Sequence, residues 1–86
     1  MSGYRVRLAR HVEKQLRELP GNVRGRVIAA LRVIQNDPTV GIKLRGELAG
    51  SRRYRVGGYR IVYQVVEAER LILIENVRHR SRVYRR

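Results

Sequence analysis

The residues with the most chemical potential in this chain lie in RRYRVGGYRIVY, residues 52–63. Gly57-Gly58 between two alternating runs is a two-residue hairpin signal, because glycine takes φ > 0 without steric cost. That turn sets Val56 across from Tyr59 and Arg55 across from Arg60. Period-two alternation then places Arg53, Arg55 and Arg60 on one sheet face, and Tyr54, Val56, Tyr59, Ile61 and Tyr63 on the other. Like charges set opposite one another cost stability. A face that carries this cost suits a polyanion, since guanidinium offers phosphate a planar, bidentate fork. Phosphodiester cleavage in RNA fits such a face. The 2′-hydroxyl attacks its own neighbouring phosphate, so the protein need supply neither a metal nor a nucleophile. Fixed guanidinium groups stabilise the dianionic transition state, while a His, Glu or Tyr must manage the protons.

Other chemistries find less support. His11 and His79 lie far apart, and no acidic cluster accompanies either, so no metal site is expected. Asp37 precedes Pro38, where a turn role is commoner than ligation. The chain has no cysteine, which removes disulfides and thiolate ligands. Ser51 or Ser81 with His79 and Asp37 lacks the nucleophile elbow of a hydrolase, and GIKLRGELAG lacks the spacing and following helix of a phosphate-binding loop. No cofactor is expected.

Charge is the dominant global property. Lys plus Arg total 20 against 7 Asp plus Glu, a net +13. Only Lys14 and Lys43 are lysine; the rest are arginine. Two clusters stand out: five Arg between Arg45 and Arg60 against Glu47 alone, and five Arg with no acid from Arg78 to the end. Nucleic acid or an acidic protein is the partner such a balance implies. No apolar run approaches the roughly 20 residues of a membrane span, and no signal peptide opens the chain. A cytoplasmic protein forming a single domain over residues 1–86 is expected.

The elements that must position these arginines are readable. Residues 4–9 alternate, with Tyr4, Val6 and Leu8 opposite Arg5 and Arg7, which predicts a strand. Val12, Leu16 and Leu19 form a helical stripe over 10–19, ended by Pro20-Gly21. Asn22 is the expected cap of a second helix with Val23, Val27, Ala30, Leu31 and Ile34 on its buried side, stopped at Asn36-Asp37-Pro38. Residues 39–51 read as a loop anchored by Ile42, Leu44 and Leu48. Strands follow over 52–56, 59–67 and 70–78, with a tight reversal at Glu67-Ala68-Glu69 and a last helical turn in SRVYRR. The order is β-α-α-β-β-β, an α+β fold. The last three strands form an antiparallel meander, the first strand joins at an edge, and an antiparallel helical hairpin covers one face.

The pieces KLRG at 43–46, GYRIVYQV at 58–65 and R-x-R-S-x-V-Y at 78–84 occur in an order and spacing that resembles the RelE toxins, within the RelE/ParE superfamily of toxin–antitoxin pairs. The resemblance covers essentially the whole chain. It implies a ribosome-dependent endoribonuclease that cuts messenger RNA in the ribosomal A site and so inhibits translation. Carried over by motif, Arg60 corresponds to the sheet arginine that grips the phosphate, Arg78 to the arginine that stabilises the transition state and leaving group, and Tyr84 to the C-terminal tyrosine acting as general base. Arg53 and Arg55 correspond to two basic positions that are often lysine. Guanidinium keeps its proton in proteins, so these two can hold phosphate but cannot accept a proton. That leaves the base role to Tyr84, since a phenol's ordinary value near 10 falls beside positive charge.

Alternation places His79 opposite Arg78 and Arg80, which favours Tyr84 over His79 as the base. Arg80, and Arg45 from its loop, are candidate contacts to RNA; Arg5, Arg7, Arg17 and Arg24 read as a solvated surface. The implied partners are the ribosome, its mRNA and an acidic RelB-like antitoxin, partly disordered when free. The toxin is expected to be a monomer alone and a hetero-oligomer with antitoxin, without membrane attachment. Two other functions remain open: a ParE-like inhibitor of DNA gyrase without nuclease activity, and a non-catalytic nucleic-acid-binding module.

Overall fold

The structure is a computed structural model that describes residues 3–80. Its chain runs β1 (Arg5–Leu8), α1 (Arg10–Arg17), α2 (Gly21–Asn36), β2 (Ile42–Lys43), β3 (Ser51–Val56), β4 (Tyr59–Val66) and β5 (Leu71–His79). The strands form one sheet in the order β1-β5-β4-β3-β2, with β1 parallel to β5 and every other pair antiparallel. Both helices pack on one face. Val12, Leu19, Val27, Ala30 and Ile34 from the helical segment meet Ile61, Tyr63, Ile72, Ile74 and Val77 from the sheet in one buried cluster. The expected α+β fold is observed, and no helix among the described residues is long and apolar enough to cross a membrane.

Four local readings change. The predicted loop over 39–51 contains β2 and two 3₁₀ turns, Pro38–Val40 and Gly46–Leu48. Two residues are too few to show alternation, so only pairing with Arg52 and Arg53 reveals this strand. Ile42 and Leu48 do not anchor the segment, being 61% and 43% exposed. The second helix begins one residue before Asn22. The Arg24 N–H donates to Pro20 O at 2.9 Å, so Pro20 is the capping position and Asn22 lies inside the first turn. Finally, Arg24 is half-buried rather than a solvated surface residue. Its guanidinium donates to the carbonyls of Leu16, Arg17 and Leu19 at 2.9–3.0 Å. It thus bonds carbonyls in the last turn of α1 and just beyond it, where a cation also complements the helix dipole.

Gly57-Gly58 forms the expected tight turn, with Val56 opposite Tyr59 and Arg55 opposite Arg60. Gly57 alone takes positive φ, at 60°, the pattern of a type II′ hairpin turn. At the other end of the meander, the Glu67–Glu69 3₁₀ turn closes with Arg70 in the left-handed region. Arg70 lies over the Tyr4 ring at 4.2 Å, and the Tyr4 hydroxyl donates to the Glu67 carboxylate at 3.0 Å. This clasp ties the start of β1 to the turn before β5.

Candidate active site

The sheet register brings three arginines into one row. Arg55 on β3 faces Arg60 on β4, and Arg60 faces Arg78 on β5. Adjacent strands lie about 4.8 Å apart, so the row crosses three strands within roughly 10 Å on the face away from the helices. Arg53 stands two residues from Arg55 on the same face, opposite Val62. The Nε atoms of Arg53 and Arg60 are buried without a hydrogen-bond partner among the described residues. A buried donor left unmade costs about 1–3 kcal/mol, more when charged. The face is not basic throughout. Val62, Val66, Leu71 and Leu73 carry it towards the opposite end of the sheet.

Arg78 reaches this row through a β-bulge. From Tyr63 to Val66 the β4–β5 register pairs Tyr63 with Ile74, whereas from Tyr59 to Val62 it pairs Val62 with Asn76. Glu75 is the extra residue. Without it Arg78 would pair with Tyr59 and point towards the helices. Helix α1 holds the bulge in place. β1 stops at Leu8, whose partner is Ile74, so the outer edge of β5 loses its neighbour there. His11 Nε2–H donates to the Glu75 carbonyl at 2.6 Å, and the Val77 N–H donates to Gln15 Oε1 at 2.9 Å. Gln15 Nε2 also donates to Asn76 Oδ1 at 3.3 Å, and the Ser51 hydroxyl donates to Glu75 Oε1 at 2.7 Å. His11 and Gln15 are four residues apart and share one side of α1. Replacing Gln15 by Leu is expected to destabilise the fold by about 1–3 kcal/mol, because the Val77 N–H loses its acceptor. Urea unfolding of the two proteins measures this.

The other candidate residues fall in different places. Arg80 lies at the end of β5, exposed, with its N–H donating to Gly58 O at 2.7 Å, beside the turn and the row. Arg45 is exposed in the connection to the Ser51 end of β3. Arg55 is four residues further along that strand, about 13 Å away, so Arg45 does not join the row. His79 is on the helix-side face, as alternation requires. It meets the Tyr59 ring edge to face at 5.0 Å and lines a cleft of about 430 Å³ with Gln15, Glu18, Leu19 and Val77. Tyr84 and the expected last turn in SRVYRR lie outside the described residues, and no cluster of metal-ligating side chains occurs among the described ones.

Beneath the row, Tyr63 is fully buried. Its hydroxyl donates to Pro38 O at 2.7 Å and accepts from the Gly41 N–H at 2.9 Å. Arg52 donates to Gly41 O at 2.8 Å. A Cβ at residue 41 would come within 2.5 Å of the Tyr63 hydroxyl, so only glycine fits there. Burial pushes the Tyr63 phenol above its ordinary value, against the opposing effect of the Gly41 N–H. The segment leading into β2 is thereby fixed against the core.

Comparison with known proteins agrees with this architecture. Residues 6–84 match the family described as the ParE toxin of the type II toxin–antitoxin system parDE. The chain is 34% identical to Toxin RelG of Mycobacterium tuberculosis over 85 residues, covering 96% of this chain and 98% of that protein. The toxin–antitoxin complex RelBE2 from the same organism contains a chain with TM-score 0.82 and 32% identity, covering 88% of this chain and 96% of that one. The archaeal RelE–RelB complex of Pyrococcus horikoshii OT3 gives TM-score 0.75 at 27% identity, covering 96% and 100% respectively. The chain belongs to the RelE/ParE family of toxins of type II toxin–antitoxin systems.

Proposed function

We propose that this toxin is an endoribonuclease that cleaves messenger RNA in the ribosomal A site. The observation that carries the reading is the Arg55–Arg60–Arg78 row, with the unpartnered Nε of Arg60 within it. A scissile phosphate bound across the row would place its non-bridging oxygens between guanidinium groups on neighbouring strands. The 2′-hydroxyl attacks this phosphorus, the bond to the 5′-oxygen breaks, and that oxygen takes a proton from water, so the products are a 2′,3′-cyclic phosphate and a 5′-hydroxyl. Arg60 grips the phosphate, and Arg78 stabilises the transition-state charge and the departing oxygen. Arg53 and Arg55 hold the phosphate and its neighbour, while Arg80 and the more distant Arg45 contact RNA beyond it. Tyr84 takes the 2′-hydroxyl proton in this scheme. The 2′-hydroxyl is the nucleophile, so the step itself requires no metal.

The inhibitor of such a toxin is an acidic antitoxin that folds on binding. The complexes of the M. tuberculosis and P. horikoshii relatives with their antitoxins support an antitoxin partner, and the net charge of +13 favours an acidic one. Primer extension on mRNA in a translating extract tests the enzymatic reading, with wild type beside Arg78→Ala. Cuts at A-site spacing that vanish in the variant are expected, and intact mRNA with both proteins would overturn the reading.

The match to a family described as ParE toxin favours one second reading, inhibition of DNA gyrase without RNA cleavage. Inhibited supercoiling by gyrase together with intact mRNA in the same extract would establish it.

A further inference from the structure

β2 begins at Ile42, and the chain before it turns away through the 3₁₀ turn Pro38–Val40, so β3 loses its outer neighbour beyond Arg53. The hairpin register determines which main-chain groups are left at that edge. In a two-residue hairpin the flanking pair, Val56 and Tyr59, exchanges hydrogen bonds, so the next pair, Arg55 and Arg60, does not. The bond from the Arg80 N–H to Gly58 O has the same phase, turning the Arg60 main chain towards β5. Arg55 therefore directs its N–H and C=O to the outer edge. Val40, which would face it if β2 continued, gives its own N–H to Asp37 O at 3.1 Å.

A cleft of about 430 Å³ opens at this point, lined by Val40, Ile42, Arg53, Tyr54 and Arg55. Val40, Ile42 and Tyr54 give it aliphatic and aromatic walls beside Arg53 and Arg55, and its edge presents one main-chain donor beside one acceptor. Its outer wall is pinned from behind by the Tyr63 bonds to Pro38 and Gly41 and by Arg52 on Gly41. Such a site is organised before a ligand arrives, which lowers the entropic cost of binding. It adjoins the arginine row, because Arg55 belongs to both.

We propose that this cleft is a nucleobase subsite, taking the base of a nucleotide next to the phosphate held on the row. This rests on the reading of the row as an RNA phosphate site. The Arg55 N–H and C=O meet the base edge, and Val40, Ile42 and Tyr54 enclose the ring. Every base presents adjacent donor and acceptor groups along one edge, and unstacked bases of single-stranded RNA are read in this way. A peptide strand fits less well, because β3 ends at Val56 and one residue's pair of groups offers little for strand addition.

The test uses the full chain and three probes: inorganic phosphate, a 2′-O-methyl dinucleotide that cannot be cleaved, and the same dinucleotide without its bases. Amide and guanidinium NMR shifts report the position of each, and titration gives its affinity. The dinucleotide is expected to shift the Arg55 and Ile42 amides, whereas phosphate and the abasic probe shift the guanidinium signals of the row, Arg55, Arg60 and Arg78, and leave those two amides in place. Loss of the bases should weaken binding about tenfold or more. Ile42→Ala, at an exposed position where folding is not at stake, should weaken the dinucleotide and leave the abasic probe unchanged. Equal affinity for both dinucleotides, with the arginine signals moving in each, overturns the subsite and leaves the phosphate row standing. Arginine signals that respond to no probe overturn the row, and the subsite with it. Protection of the Arg55 amide by an extended acidic peptide, without any effect of the dinucleotide, assigns the edge to a protein strand and also overturns the subsite.

Discussion

Arg60→Ala is expected to slow mRNA cleavage by about 10²–10³-fold at saturating toxin, the loss typical when one fixed donor is removed from a developing oxyanion. Arg60 is the middle member of the row, between Arg55 and Arg78, so its removal opens the centre of the proposed phosphate site. Arg60→Lys should recover only part of the rate. It restores the charge but not the bidentate fork. Stability should move the other way. The substitution relieves repulsion with two neighbours and removes a buried Nε that has no partner among the described residues. The Arg60→Ala protein should therefore melt no lower than wild type, as is common where a site is built at the expense of stability. A lower melting temperature accompanying the lost activity would mean that Arg60 supports the fold, and the phosphate role would fail.

Tyr63→Ala is expected to have the largest effect on folding, about 3–5 kcal/mol, the usual range for truncating a buried aromatic. That is a large share of the roughly 5–15 kcal/mol of a small domain. Tyr63→Phe separates packing from hydrogen bonding. It keeps the ring but leaves the Gly41 N–H without an acceptor and Pro38 O without a donor, for a cost of about 1–3 kcal/mol. The phenol also predicts a pH dependence. Its native value is raised chiefly by burial, so the folded chain holds this proton more tightly than the unfolded one. The resulting stability is complete below the ordinary phenol value of about 10, and is lost as pH rises through the higher native value. Tyr4 contributes in the same direction, because its hydroxyl donates to Glu67. Urea unfolding between about pH 8 and pH 11 should show stability falling in wild type and falling less in Tyr63→Phe. Parallel curves would show that another group governs the alkaline loss.

Much of this molecule was legible because its signals are local. The Gly57-Gly58 turn, the alternation of Arg53, Arg55 and Arg60, the stripe of Val27, Ala30 and Ile34, and the stop at Pro38 each follow from a few adjacent residues. The Arg55–Arg60 opposition needed only the turn and the two-residue period of a strand. The capping role of Arg24 was not legible, since an arginine on a helix ordinarily reads as solvated until the end of the preceding helix is seen beside it. β2 was equally hidden, because two residues carry no period and Ile42 is exposed.

The sequence by itself determined the basic face, the tyrosine-lined reverse side and the family motifs. Only the tertiary structure decided that Arg78 completes the row. Counting back from the reversal at Glu67–Glu69 in an unbroken ladder would set Arg78 against Tyr59, on the helix side. Glu75 adds one residue, and that single step carries Arg78 to the open face. The bulge leaves main-chain groups at an edge that β1 does not reach, and those groups find His11 and Gln15, more than sixty residues earlier in the chain. A contact across that separation has no local signature, because it exists only after the helix has packed on the sheet.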